Sequence, residues 1–364
     1  MMRSVQRWGT ILGMAAAGLT APAMFGQGEP VKPAEEVYKN ITEMKGVPAD
    51  QVGPAMQFIA ASLGVNCEFC HVQGKPEADE KGAKRTARQM MQMTAMINKT
   101  SFNGRQQITC NSCHNGAQRP NASPTVQDSD APARTAMAAP PAAGGGQQPQ
   151  PTADDILAKY VSAAGGADAI KKITSRTMKG SIVAMGSTTP IEVYTKAPNL
   201  RVTITHGQNG ESATAFDGKT GWMGNPAGPA RAMSAAESAA SSIDAEFYLP
   251  LRIKELYPQL RRGRPETIAG VECDVLNGQA AGKPAVRLYF DKKTGLLVRL
   301  VRLADTPMGR MPTQIDYADY KEMDGVKTPM KWTLSRPNGR FTIQIAEAKN
   351  NTPIDDSKFA MPAK

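Results

Sequence analysis

The chain of 364 residues contains three histidines and five cysteines. Two of the histidines and four of the cysteines fall in one repeated pattern, Cys-x-x-Cys-His, at Cys67–His71 and again at Cys110–His114. Thiols at this spacing reach one edge of a porphyrin and can add to its two vinyl groups, while the histidine that follows presents its imidazole to the iron. Covalent attachment of two c-type haems is the chemistry that uses every residue of the pattern. Two disulfides would leave the paired histidines unexplained, and a zinc or dithiol redox site would not need a histidine directly after each cysteine pair. His71 and His114 are therefore the expected iron ligands, with Cys67, Cys70, Cys110 and Cys113 as the covalent anchors.

The sixth position of each iron decides between carrier and catalyst. A methionine there gives a saturated site with a raised potential, whereas an open position invites oxygen, peroxide or small ligands. Candidate methionines must stand on elements that fold back over the motifs. Asp50 to Leu63 has helical periodicity, with Asp50 as expected N-cap and Gly64 as expected stop; Met56, Ile59, Ala60 and Leu63 share one face. A second helix is expected in KRTARQMMQMTAMINKT, with Met90, Met93 and Ile97 on one stripe and Met91 beside it. Methionine on an apolar stripe is more often core packing than a ligand. Spacing alone leaves Met56, Met90 and Met91 all open.

Composition and order place these elements in a larger plan. Arg3 and Arg7 precede a short apolar segment that runs into Ala21-Pro22-Ala23, so residues 1–26 read as a secretory signal peptide and the mature chain as periplasmic. An uncleaved N-terminal membrane anchor is the alternative. A Pro-, Ala-, Gly- and Gln-rich stretch without apolar period makes 121–151 a linker. It separates a mostly helical, haem-bearing domain at 32–120 from a strand-patterned domain at 152–364. The net charge of +10 suits anionic partners. Basic residues such as Arg261, Arg262 and Arg264 lack interleaved aromatics, so nucleic acid is not among the expected partners. Lys81, Lys84, Arg85 and Arg88 read individually as a solvated helix face, with haem propionates or an acidic partner as the functional alternative.

The stretches MQFIAASLGVNCEFCH, ARQMMQMTAMIN and ITCNSCHNG resemble the cytochrome c subunit of photosynthetic reaction centres, and more closely its shorter, non-phototrophic relatives. The resemblance covers about Val37 to Pro120. It implies a build of helix, turn and Cys-x-x-Cys-His for each haem, with Met56 and His71 on the first iron and Met90 and His114 on the second. The chain departs from the family in having two motifs rather than four and no spare histidine near the second, so a bis-histidine site is not expected. A photosynthetic role is not implied.

The remainder alternates apolar and polar residues between tight turns. FDGKTG, FDKKTG, MDG and PNG mark hairpins, and in RFTIQI the residues Phe341, Ile343 and Ile345 face one way. A curved antiparallel sheet follows, with a helical interruption between Ala232 and Tyr257 lying across it. This pattern resembles the half-barrel of LolA/LolB-type outer-membrane lipoprotein carriers, which implies an apolar ligand such as a lipid, isoprenoid or quinone. The competing expectation is an inner face filled by the domain's own helices. Cys273 is expected to pack as a small apolar residue, and Trp222 and Trp332 as sheet-core aromatics.

The expected fold is thus α+β and multidomain: a small, mostly α-helical dihaem cytochrome c domain, then an antiparallel β half-barrel-like domain with covering helices. The expected function is one-electron transfer between redox partner proteins, some of them membrane-bound, without catalysis. A dihaem peroxidase-like oxidoreductase and a lipid or quinone carrier with accessory haems are the two alternatives.

Overall fold

The computed structural model describes residues 31–120, 150–184, 186–225, 228–337 and 339–362. The expected signal peptide and all but the last two residues of the expected linker lie outside the described residues.

The N-terminal domain consists of α1 (Ala34–Val37), α2 (Ala49–Leu63), α3 (Gly82–Ser101) and the short α4 (Cys110–His114). The residue that caps α2 is Pro48 rather than Asp50, which is the second residue inside the helix. There its carboxylate faces the positive end of the helix dipole, a favourable place that requires no capping bond. Gly64 ends α2 as expected, in the left-handed conformation with φ +66°. A Cβ at Gly64 would lie 2.2 Å from the Gly116 carbonyl oxygen. The Gly116 N–H in turn donates to the Ser62 carbonyl at 2.8 Å. The same glycine therefore stops the first helix and seats the segment that follows the second motif.

The C-terminal domain opens with α5 (Ala153–Ala163), started by a reciprocal Thr152/Asp155 capping box, and α6 (Ala167–Lys172). Six strands follow: β1 (Ser175–Ala184), β2 (Ser187–Lys196), β3 (Leu200–Gly207), β4 (Gly210–Asp217), β5 (Gly221–Asn225) and β6 (Gly228–Ala232). Two helices interrupt them, α7 (Ala235–Ala245) and α8 (Leu249–Leu256). The chain then forms β7 (Gln259–Arg262), β8 (Glu266–Ile268), β9 (Val271–Gln279), β10 (Ala285–Asp291), β11 (Leu297–Thr306), β12 (Gly309–Met323), β13 (Val326–Arg336) and β14 (Gly339–Asn350).

All fourteen strands join one antiparallel sheet in the order β6-β5-β4-β3-β2-β1-β14-β13-β12-β11-β10-β9-β7, with β8 also pairing with β9. Two meanders meet where β1 pairs with β14. Their outer edges are β6 and β7, which α7 and α8 connect, so these helices must pass between the two edges of the open sheet. They pack onto its inner face together with α5 and α6: Ile243, Ile253, Ile156 and Ile170 share one buried cluster with Ile191, Leu288, Ile315 and Ile343. The half-barrel is thus lined by its own helices. Trp332 joins this cluster, and Trp222 anchors a second one, its indole N–H donating to the Phe359 carbonyl at 2.7 Å. Cys273 is fully buried beside Val275 and Tyr289.

The two domains touch. The β11–β12 turn reaches the helical domain, where Phe58 of α2 packs so closely on Gly309 that a Cβ there would lie 2.4 Å from its ring. Gln106 donates to the Pro307 carbonyl at 2.8 Å beside this contact.

Candidate functional site

Helix α2 is two-faced. Ala55, Phe58 and Ser62 are buried on one side, and Phe58 meets the β domain. Val52, Met56, Ile59 and Ala60 line a cavity on the other side, at the i, i+4, i+7 and i+8 spacing of one helical face. This cavity measures about 510 Å³, within the roughly 300–1,000 Å³ of cofactor pockets. Cys67, Cys70 and His71 reach it from the first motif, and Lys84, Ala87, Arg88 and Met91 reach it from α3. The structure therefore brings Met56 and His71 to one apolar cavity. Met91 borders that cavity and Met90 does not; adjacent helical residues point about 100° apart.

The histidines are held alike. His71 Nδ1 lies 2.8 Å from the Pro76 carbonyl, and His114 Nδ1 lies 3.0 Å from the Ala117 carbonyl. A carbonyl only accepts, so each Nδ1 carries the proton and each Nε2 keeps its lone pair for a metal. This is the backbone support that fixes tautomer and ring direction in metal-bound histidine. The first motif is shaped by a short 3-10 turn, Cys67–Phe69, capped by the Asn66 side chain. The second begins α4, where the Thr109 N–H donates to Ser112 Oγ at 3.1 Å.

Of four basic residues expected to be individually solvated, Arg85 is exposed and Lys84 is buried, and all four bond to backbone carbonyls around the loop between the first motif and α3. Lys84 is buried and donates to the carbonyls of Pro76, Glu77 and Ala78. Arg85 donates to the Asp79 carbonyl, Lys81 to the Glu68 carbonyl, and Arg88 to the Asp79 carboxylate and the Asn40 carbonyl. Arg88, then Asn40 and Lys84, hold the Asp79 carboxyl well below the usual range. Asn98 does comparable work for the second motif. Its Nδ2 donates to the Ile108 carbonyl at 2.7 Å, and its Oδ1 accepts the N–H groups of Gln107 and Ile108 at 3.0 and 2.9 Å.

On α3, Met90 is half-buried, while Met93 and Met96 are 39% and 59% exposed. Burial raises the Cys70 and Cys110 thiol pKa values. Among the described residues, no three His, Cys, Asp or Glu side chains converge as a metal-ion shell. The donor set at the first motif thus fits haem: an apolar cavity reached by one supported imidazole and two thiols; the second motif offers the same imidazole support. In the β domain, His206 is half-buried and paired with Glu211 at 2.9 Å, and the Cys273 thiol pKa is pushed up by burial. Neither touches the helical-domain site. A further cavity of about 180 Å³ lies near α8, lined by Tyr160, Arg176, Phe247 and Thr328 among others.

Residues 14–159 match the family model described as photosynthetic reaction centre cytochrome C subunit, a span that includes α1 to α4 and both motifs. A search of curated proteins finds no match. The C-terminal part is similar in fold to several solved structures. An outer membrane lipoprotein-sorting protein domain from Vibrio parahaemolyticus is 10% identical, with 56% of this chain and 97% of that one covered and a TM-score of 0.40. A DUF1329 family protein from Desulfovibrio piger is 13% identical, covering 58% and 98% at a TM-score of 0.42. A LolA superfamily protein from Nitrosomonas europaea is 14% identical, covering 58% and 98% at a TM-score of 0.41.

Proposed function

We propose that the chain is an exported c-type dihaem cytochrome that passes single electrons between redox partner proteins, and that it is a carrier rather than an enzyme. The observation that carries this reading is the matched support of His71 and His114, each with Nδ1 held by a carbonyl and Nε2 left to coordinate. Cys67 and Cys70 would anchor one haem and Cys110 and Cys113 the other, with Met56 and Met90 as distal ligands. Bound haem supplies a one-electron iron couple. The protein's residues would supply the remainder: α2 and α3 would exclude water, the carbonyls orient the imidazoles, and methionine would close the irons to oxygen and peroxide.

The periplasm is the compartment in which this chemistry belongs, and among the described residues no helix is long and apolar enough to cross a membrane. An apolar ligand of the β domain remains part of the proposal in a restricted form. Helices α5 to α8 occupy the inner face, and the 180 Å³ cavity near α8 is smaller than about 300 Å³. A lipid, isoprenoid or quinone would therefore enter by parting the helices from the sheet.

The test is Met56→Ala. It opens one iron, so the reduced variant should bind one carbon monoxide per chain while the unaltered protein binds none and turns over no hydrogen peroxide. Peroxidase turnover by the unaltered protein would instead establish the oxidoreductase alternative.

A further inference from the structure

Lys84 is a cation that the fold keeps from water. It is 8% exposed, and its ammonium faces four oxygens at 2.9 Å: the carbonyls of Pro76, Glu77 and Ala78, and Asp79 Oδ1. One of those carbonyls has a second task. Pro76 O also accepts from His71 Nδ1 at 2.8 Å, so an ammonium and an imidazole share one acceptor. At the second motif the corresponding acceptor is the Ala117 carbonyl. Among the described residues, no lysine or arginine shares it.

This difference has an electronic consequence. A carbonyl that supports a ligating histidine draws on its N–H and makes the imidazole a stronger donor to iron. A charge-assisted bond from an ammonium occupies part of the same oxygen's electron density and weakens that draw. The imidazole then donates less, which favours the reduced iron. A positive charge held in a poorly hydrated wall of the cavity acts in the same direction.

We propose that Lys84, acting through the Pro76 carbonyl, sets the reduction potential of the haem at Cys67–His71 above that of the haem at Cys110–His114, so that an electron within the chain settles on the first haem. This rests on the dihaem reading above. Lys84 is a positioning residue in this scheme, because its reach to the iron is through His71.

The experiment is a redox titration of the full exported chain followed by its visible spectrum, after covalent haem has been counted. The unaltered chain should show two midpoints. Lys84→Met should lower the higher one alone, by about tenfold in the reduced-to-oxidised ratio, which is about 59 mV for one electron. Lys84→Arg should leave it nearly in place, since the charge and donors remain. Asp79→Asn should move it upward, because the ammonium loses its counter-charge. The proposal is overturned if Lys84→Met moves neither midpoint or both alike, or if Asp79→Asn shifts the midpoint downward as a merely loosened loop would. Should Lys84→Met fail to load haem, the Arg and Asn variants decide by the same criteria. Fewer than two covalent haems in the unaltered chain would refute the dihaem reading itself, and the count shows that before any titration.

Discussion

A buried amide can decide where a metal ligand stands. Asn98 uses its side chain on the backbone of two residues just ahead of Cys110, giving one hydrogen bond and taking two. Removing it takes three hydrogen bonds from part-buried backbone groups, each contributing about 0.5–1.5 kcal/mol. Asn98→Ala should destabilise the helical domain by about 2–3 kcal/mol in denaturant unfolding and leave α4 loosely placed; an unchanged midpoint would contradict this role. The candidate ligands were readable in the sequence, because Cys-x-x-Cys-His compresses its pattern into five consecutive residues. Asn98 and Lys84 were not, since their partners are backbone atoms six to ten residues away, across turns whose path periodicity does not fix. Met90 and Met91 illustrate the same limit. Spacing places both on α3, and only the packed helix shows that Met91 borders the first cavity.

At the scale of elements, the loop from the first motif to α3 is an electrostatic clasp centred on Asp79. Its carboxyl is held below its ordinary range chiefly by Arg88, then by Asn40 and Lys84. A carboxylate with a lowered folded pKa binds fewer protons when folded than when unfolded. Its stabilisation is therefore present above the unfolded value near 4, and it is lost as pH falls through the lowered folded value. The helical domain of the unaltered chain should lose stability progressively below about pH 4. Asp79→Asn should flatten that part of the profile; identical slopes in a pH series of thermal melts would rule the clasp out. Helix and strand existence followed from periodicity: α2 spans the expected segment to within a residue, and the FDGKTG, FDKKTG, MDG and PNG turns all join neighbouring strands. The N-cap of α2 did not follow, because Asp50 and Pro48 are both credible starts and only the backbone separates them. Nor did the pairing of β1 with β14, which depends on closing a loop of nearly the whole domain.

The whole molecule carries a net charge of +10, apt for meeting acidic redox partners. Its two domains are joined by residues 121–151 and also meet directly, with Phe58 of α2 against Gly309, whose φ is +149°. Phe58 lies two residues from Met56, so the face of α2 opposite the cavity is held by the β domain. Gly309→Ala would press a methyl into the Phe58 ring, an overpacking cost of about 1–3 kcal/mol. The expected result is separation of the domains, read as a larger radius of gyration in solution scattering with each domain still folded; an unchanged radius would contradict the contact.

The most direct measurement for the central claim is the amount of covalently bound haem per exported chain, with carbon monoxide then added to the reduced protein. Two haems per chain that leave the gas unbound are the predicted result. Fewer than two, or ready binding at either iron, would contradict the account of a saturated dihaem carrier.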